Sequence, residues 1–385
     1  MTFSHVPGRA RFAGLALALA LALALLPIGC SGTATLVQTE DAGQTPVPDA
    51  SLAPNAACVA QDETVGTVLS GLRTSPVLAV AVTNAACGTR TVVVADGVAP
   101  ANDALYRVGS VTKTYVAATV LGLEREGKLS LSDVVSKYVD GFPALGTITI
   151  AQLANHTSGL FNFTEDPNFG ALRKQKRSPR EIVEVALSKP PYFAPGQGFH
   201  YSNTNYTLLG MIVEKASGQK VSAAIRTRVL EPLSLARTFF DGEETLPEPL
   251  VPGFDTLRRD VTQSEDPSEP WAAGAMVASI SDVSRFHHAL FGGGFLDATS
   301  QQELTASPAP TGGASTSYGI AVFIVGPART RGLGPTLGHG GAIEGFHTES
   351  IHFVDHKTTV SAVVNQDGAN PSLAVLDVAQ ALFAK

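Results

Sequence analysis

The stretch RVGSVTKTYVA, residues 107–117, sets Ser110 and Lys113 three positions apart at the start of a helical pattern. Residues spaced by three share a helix face, so the two side-chain heads can meet. A Ser-x-x-Lys pair recurs by chance, and the chain holds a second one in SGQK, residues 217–220. The rest of the sequence has to separate a catalytic pair from two polar neighbours.

The chemistry available to the first pair is specific. At a buried cleft, desolvation and a neighbouring cation favour a neutral lysine amine, which can accept the serine proton. A serine in a first helical turn also lies beside free backbone N–H groups and the positive end of the helix dipole, both of which favour an oxyanion. Further along, Tyr201 is the one tyrosine of seven with an Asn two residues on, Asn203, in FHYSNTNY. His339 is the one histidine of nine with a Gly two residues on, Gly341, in LGHGGAIEGF. Three elements in the order Ser-x-x-Lys, Tyr-x-Asn, His-x-Gly are far rarer by chance than one. Taken singly, Tyr201 reads as a half-buried aromatic with a satisfied hydroxyl and His339 as a polar strand residue.

Composition narrows the class. The chain has 385 residues, 44% hydrophobic and 16% charged, with a net charge of -7. That is globular, long enough to bury a core, and poorly suited to nucleic acid. The basic run RKQKR, residues 173–177, is expected to be a solvated helix face.

At the N-terminus Arg9 and Arg11 precede an apolar run to Gly29, the layout of a secretory signal. Its ending, LLPIGC, resembles a bacterial lipoprotein processing site, which implies that Cys30 is lipidated and the remainder sits outside the cytoplasm. Pro27 stands where such sites usually carry Leu, and a retained anchor is the alternative. Residues 1–29 are therefore expected to be a signal and 30–57 a flexible tether poor in large apolar side chains. Of the three cysteines, Cys58 and Cys87 remain for a disulfide in an oxidising compartment, with two buried thiols as the alternative.

From 58 to 385 the pattern is regular. A helix is expected from about 62 to 72, followed by a hairpin from PVLAVAVTN and GTRTVVVADG. A helix runs from Ser110 to about Glu126, with Gly127 in the position just past its end. Helical spacing recurs in SPREIVEVALSK, NTNYTLLGMIVEKASG and ISDVSRFHHALFGG. Strands return in YGIAVFIVG, PTLGHGG, FHTESIHFV and TTVSAVVNQ, and SLAVLDVAQALFA closes the chain as a helix. The expected architecture is α+β: an antiparallel sheet from segments at about 60–110 and 290–385, a mainly helical lobe at about 130–290, and a cleft between them.

SVTK, YSN and HGG, with TITIAQLANHTSGL, PGQGFHYSNTNY and WAAGAMVASISDVSRF, resemble the penicillin-recognising serine hydrolases, closest to serine D-alanyl-D-alanine carboxypeptidases and the class C β-lactamase group. The resemblance runs from about residue 60 to the end and implies a β-lactamase/transpeptidase-like fold. It implies Ser110 as the nucleophile that forms an acyl-enzyme, with Lys113 and Tyr201 shuttling protons and a lowered Tyr201 pKa. It implies that Asn203 orients the substrate amide, that His339 lines the cleft, and that Gly341 lets substrate lie against its strand. The N–H groups of Ser110 and Ala342 would form the oxyanion hole, with no cofactor and no metal.

Substrate is the open part. Carboxypeptidases of the family carry hydroxyls on the His/Lys-x-Gly strand and an Arg on its neighbour. Here HGGA lacks the hydroxyls, and Phe323 stands where the Arg would lie, with Arg329 and Arg331 following. A buried carboxylate without a fixed cation is costly. Trp271 is either an aromatic wall of the cleft or an anchor of the helical lobe. The expected function is that of an envelope serine hydrolase, most like a D-alanyl-D-alanine carboxypeptidase acting on a small-molecule or peptide acyl donor. An esterase or β-lactamase is the alternative, and a non-catalytic peptide- or β-lactam-binding sensor domain a further one.

Other patterns carry less. GLEREGKL lacks the Ser/Thr of a phosphate loop. His287, His288, His347, His352 and His356 lack metal-site spacing and are expected to be surface or core histidines.

Overall fold

The computed structural model of the protein describes residues 55–72, 75–313 and 315–383. The expected signal, the lipidation site at Cys30 and nearly all of the tether lie outside the described residues.

The chain enters through α1 (Ala56–Gly71). The helix starts six residues before the expected position because Asn55 caps it, its side chain accepting from the Ala57 N–H at 2.8 Å. The hairpin follows as β1 (Val77–Asn84) and β2 (Gly88–Ala95), and Cys58 and Cys87 are joined by a disulfide. After β3 (Tyr106–Arg107) comes α2 (Thr112–Arg125). Ser110 lies in a 3₁₀ turn that feeds α2 rather than in the helix proper. At the other end Gly127 takes a positive φ of 68°, and the Gly127 and Lys128 N–H groups bond back to Glu124 and Leu123.

The helical lobe contains α3 (Ile150–Ala154), α4 (Phe169–Leu172), α5 (Pro179–Leu187), α6 (Asn203–Ser217) and α7 (Val221–Ile225). Ser178 and Glu181 cap α5 reciprocally. The basic run 173–177 is the loop between α4 and α5, not a helix face, because Ser178 and Pro179 start a new helix there. The lobe also includes β4 (Thr238–Phe240), α8 (Trp271–Gly274) and β5 (Met276–Ala278), and β3, β5 and β4 make a small sheet that the sequence reading missed. Strands of two or three residues are too short to show a period.

Next come α9 (Ile280–Phe291), α10 (Ala298–Ala306), β6 (Ala309–Pro310), β7 (Thr316–Tyr318) and β8 (Phe323–Val325). YGIAVFIVG is thus two antiparallel strands and their turn, not one strand: Ala321 takes φ 53° and the chain folds back so that Tyr318 pairs with Phe323. The chain ends with β9 (Thr336–Ile343), β10 (Phe346–Phe353), β11 (Thr358–Val364) and α11 (Pro371–Phe383).

The main sheet has the order β2-β1-β11-β10-β9-β8-β7-β6, with antiparallel pairing throughout. The N-terminal hairpin therefore joins the C-terminal strands directly. Leu78, Val80 and Val82 of β1 pack in a core with α1 and α11, whereas Ala79 and Ala81 belong to the core shared with α2 and α9. A strand covered on both faces reads as a continuous apolar run, which is why VLAVAVTN lacks alternation. Among the described residues no helix is long and apolar enough to cross a membrane.

Candidate active site

The Ser110 turn is held against β9 by two glycines. Gly109 takes φ 52°, and a Cβ there would meet the Ala342 backbone at 2.9–3.0 Å. A Cβ on Gly341 would lie 1.9 Å from the Val108 carbonyl oxygen and 3.0 Å from the Ser110 nitrogen. Gly341 therefore serves backbone-to-backbone contact with the serine turn, and it also lines the larger cavity at Ser110. β8 pairs with β9 only across Thr336, Leu337 and Gly338, which leaves residues 339–343 without a strand partner on that side, along the cleft. The packing sets the Ala342 backbone beside that of Ser110, as two oxyanion donors require.

Lys113 is fully buried, and its Nζ lies 2.9 Å from Ser110 Oγ, 2.8 Å from Asn203 Oδ1 and 2.7 Å from the Ala273 carbonyl. Asn203 and Ala273 are acceptors only, so they take two N–H bonds. On a neutral amine the lone pair then remains for the Ser110 hydroxyl proton. Burial pushes the Lys113 pKa well below the ordinary lysine value, and the Glu269 charge only partly opposes it. Asn203 is itself fixed: its Nδ2 donates to Asn162 Oδ1 at 3.3 Å and Thr164 Oγ1 at 3.2 Å. Its side chain thus orients Lys113 while also lining the cleft.

Tyr201, His156, Tyr318 and His339 form an aromatic cluster beside the lysine. The Lys113 Nζ lies 5.0 Å from the Tyr201 ring centre, and the Tyr201 and His156 ring centres are 4.2 Å apart. Burial pushes the Tyr201 phenol up, with the Ser110 hydroxyl opposing the shift. The expectation of a lowered value fails for a physical reason: the burial that favours a neutral Lys113 removes the cation that would have lowered it. His339 Nδ1 lies 2.6 Å from the Gly340 carbonyl and donates to it. Its Nε2 then accepts from the Tyr318 hydroxyl at 2.8 Å. Burial holds the His339 imidazole down to about 3, so at neutral pH it is uncharged.

Two cavities open at the serine, and both are lined by Ser110 and Ala342. The larger, about 720 Å³, is lined also by Tyr201, Phe323, His339 and Gly341. The exposed Arg329 stands in its wall, whereas Arg331 pairs with Asp377 at 2.5 Å. The smaller, about 230 Å³, is lined by Asn203, Phe163, Thr164, Phe169, Glu265 and Glu269 among others. Trp271 lines neither. Its indole N–H donates to Glu243 at 2.8 Å and its ring fills the space over Gly210, so it anchors the lobe rather than walling the cleft.

Asn162, Thr164, Glu265 and Glu269 went unremarked in the sequence, since only long-range folding brings them to the serine. The decoy pair separates: Ser217 donates to the Gln219 carbonyl at 3.5 Å and Lys220 is exposed. Among the described residues no group of three or more His, Cys, Asp or Glu is arranged to hold a metal ion. His287 instead meets Thr114 at 3.0 Å, and His352 meets Thr359 at 2.9 Å.

Ser110 and Lys113 are thus in contact, with the Tyr201 ring beside the lysine, at the two cavities of an α+β fold. The family model described as Beta-lactamase matches residues 70–385, so the chain belongs to the Beta-lactamase family of serine hydrolases. Among its relatives is penicillin-binding protein 4* of Bacillus subtilis (strain 168), 27% identical over 288 residues. That match covers 69% of this chain, and the chain spans 61% of the relative's length. Among solved structures, a D-stereospecific amidohydrolase from Streptomyces sp. superposes with a TM-score of 0.73 at 29% identity, covering 86% of this chain and 99% of its own. The D-amino acid amidase from Ochrobactrum anthropi SV3 complexed with L-phenylalanine amide superposes at 0.74 with 24% identity, covering 84% and 98%, and speaks for the fold.

Proposed function

We propose that the protein hydrolyses amide or ester bonds of small amino-acid-derived donors through an acyl-enzyme on Ser110. The carrying observation is the 2.9 Å contact between Lys113 Nζ and Ser110 Oγ with both other Lys113 bonds directed to acceptors. Lys113 takes the serine proton, Ser110 attacks the carbonyl, and the Ser110 and Ala342 N–H groups hold the oxyanion. Tyr201, protonated because its phenol is pushed up, gives its proton to the leaving group and regains one from Lys113. Water then attacks the ester as neutral Lys113 takes its proton, and Lys113 returns that proton to Ser110 as the acid leaves.

Three features favour an uncharged leaving group over the free carboxylate of a D-alanyl-D-alanine carboxypeptidase. His339 is neutral with its Nε2 taken by Tyr318, Phe323 forms part of the cavity wall, and Arg329 is exposed. An exposed guanidinium is a weak substitute for a buried one. The relation to a D-stereospecific amidohydrolase points the same way. Arg329 in that wall, the relation to penicillin-binding protein 4* and a 32% identity over 181 residues to a putative D-alanyl-D-alanine carboxypeptidase of Escherichia coli O157:H7 favour the carboxypeptidase, which stands as the second reading. Incubation with D-phenylalanine amide, diacetyl-L-Lys-D-Ala-D-Ala and benzylpenicillin separates the alternatives. The proposal predicts release of ammonia from the amide. Release of D-alanine with an inert amide would replace it with the carboxypeptidase, and penicillin turnover alone with a β-lactamase. Failure to turn over any donor, esters included, would leave the sensor domain.

The proposal includes a place of work outside the cytoplasm, tethered through lipidated Cys30, which the Cys58–Cys87 disulfide supports. Membrane fractionation of the wild type and Cys30→Ala tests it: the variant should leave the membrane fraction, and an unchanged distribution would refute the lipid anchor.

A further inference from the structure

The smaller cavity at Ser110 holds an unexplained carboxylate. Glu269 is 3% exposed, and its buried Oε1 has no hydrogen-bond partner among the described residues. Beside it in the lining stands Glu265, 9% exposed. Arg173 serves Glu265 at 3.0 Å and Glu344 at 2.9 Å, and makes no contact of that kind with Glu269. Arg173 thus serves two of the three carboxyl groups, and Arg107, paired with Asp241 at 3.0 Å, adds a second guanidinium whose charge reaches Glu265. An orphaned buried carboxyl oxygen costs stability unless something supplies a donor.

The direction of the cavity follows from proton delivery. Tyr201 and His339 line only the larger cavity. A leaving amine needs a proton from Tyr201, so the leaving group faces that side and the acyl group falls into the smaller one. There the apolar walls are Phe163, Phe169, Pro270 and Ile343, and the polar part includes the two glutamates with Asn203 and Thr164. An apolar cavity with one orphaned carboxylate fits an acyl group that carries both an apolar side chain and a cation. Glu269 and Ser110 line the same cavity, which brings that carboxyl near the reacting centre, as an amine near the carbonyl requires.

We infer that this cavity is an ammonium subsite in which Glu269, backed by Glu265, binds the free amino group of an aminoacyl donor. The substrates are then amides or esters of amino acids, or peptides whose scissile residue has an unblocked amine. This rests on the hydrolase proposed above and narrows its acyl donor. Burial holds the free Glu269 carboxyl up to about 8, and an ammonium bound against it favours the ionised form.

The test uses the full chain with alanine p-nitroanilide, in both enantiomers, each free and N-acetylated, and with p-nitrophenyl acetate. The free amine should be preferred at least about tenfold in kcat/KM, mainly through KM. Glu269→Gln should erase most of that preference, and Glu269→Asp should retain part of it. Each preference is a ratio within one variant, so partial misfolding cancels. Equal cleavage of free and acetylated anilides, or an unchanged ratio in Glu269→Gln, would overturn the subsite. If p-nitrophenyl acetate is still cleaved in a Ser110-dependent way, only the subsite falls. If no probe is turned over through Ser110, the hydrolase falls and the subsite with it.

Discussion

Lys113 Nζ and Asn203 Oδ1 lie 2.8 Å apart, although 90 residues separate them in the chain. The Asn203 amide is oriented in turn by Asn162 and Thr164, so its oxygen faces the lysine. Replacing Asn203 with Ala leaves one Lys113 donor unpartnered in a buried site. We expect kcat to fall about tenfold or more with KM little changed, and the acid limb of the pH–rate profile to move. An effect confined to KM would mean that Asn203 acts on substrate alone.

Lys113→Ala removes the base. Its loss should lower kcat/KM by about 10²–10⁴ on any turned-over ester or amide. In the wild type the acid limb should lie well below the ordinary lysine pKa, because burial favours the neutral amine. Activity is lost as pH falls and Lys113 takes up a proton. An acid limb at the ordinary lysine value would contradict a buried neutral base.

Much of this was legible from residue types in order. Ser110, Tyr201, Asn203, His339 and Ala342 line the two cavities at the serine, with Lys113 buried against Ser110, and the α+β architecture with terminal segments sharing a sheet is as expected. What stayed hidden depends on three-dimensional environment. Whether Tyr201 is raised or lowered depends on the charge state of a lysine that the sequence shows only as a lysine. That Gly341 also lets its strand close on the serine turn was hidden, because a strand's packed side cannot be told without its partner. The turn inside YGIAVFIVG is marked only by Gly319, whose N–H bonds the Val322 carbonyl, while Ala321 takes the left-handed conformation.

The two strand glycines should behave differently. Gly341→Ala drives a methyl onto the Val108 carbonyl, whereas the nearest atom to a Cβ on Gly340 is Glu349 Oε2 at 3.2 Å. The former should cost about 3 kcal/mol or more in thermal or denaturant unfolding, since backbone on both sides must move. Gly340→Ala, which needs only a side-chain adjustment, should cost clearly less. Equal costs would argue against tight packing of β9 on the serine turn.

The disulfide closes the loop from Cys58 to Cys87, a separation of 29 residues. Its removal by Cys58→Ser with Cys87→Ser should destabilise the protein by roughly 3 kcal/mol through the unfolded chain. A stability equal to the wild type would show the bridge to be dispensable.

Acid should unfold the protein. Burial holds His287 and His339 each down to about 3, against 6.5 for the exposed group. Between these values the unfolded chain binds more protons, so stability is lost as pH falls from about 6.5 toward 3. Glu269 acts in the opposite sense: held up to about 8 against 4.5, it lowers stability as pH rises between those values. Lys113, held well below the ordinary lysine value by burial, opposes Glu269 by adding stability as pH rises, so melting temperature should decline on the acid side, with His339→Gln shrinking that loss. A flat profile from pH 4 to 6.5 would contradict the burial of these imidazoles.

The most direct test of Ser110 as the acylated nucleophile is intact-mass and peptide mapping after rapid mixing with p-nitrophenyl acetate and acid quench. One acetyl group on the peptide containing Ser110, absent in Ser110→Ala along with turnover, is the predicted result. Label on another residue, or undiminished turnover in Ser110→Ala, would show that the Ser110–Lys113 pair does not carry the chemistry.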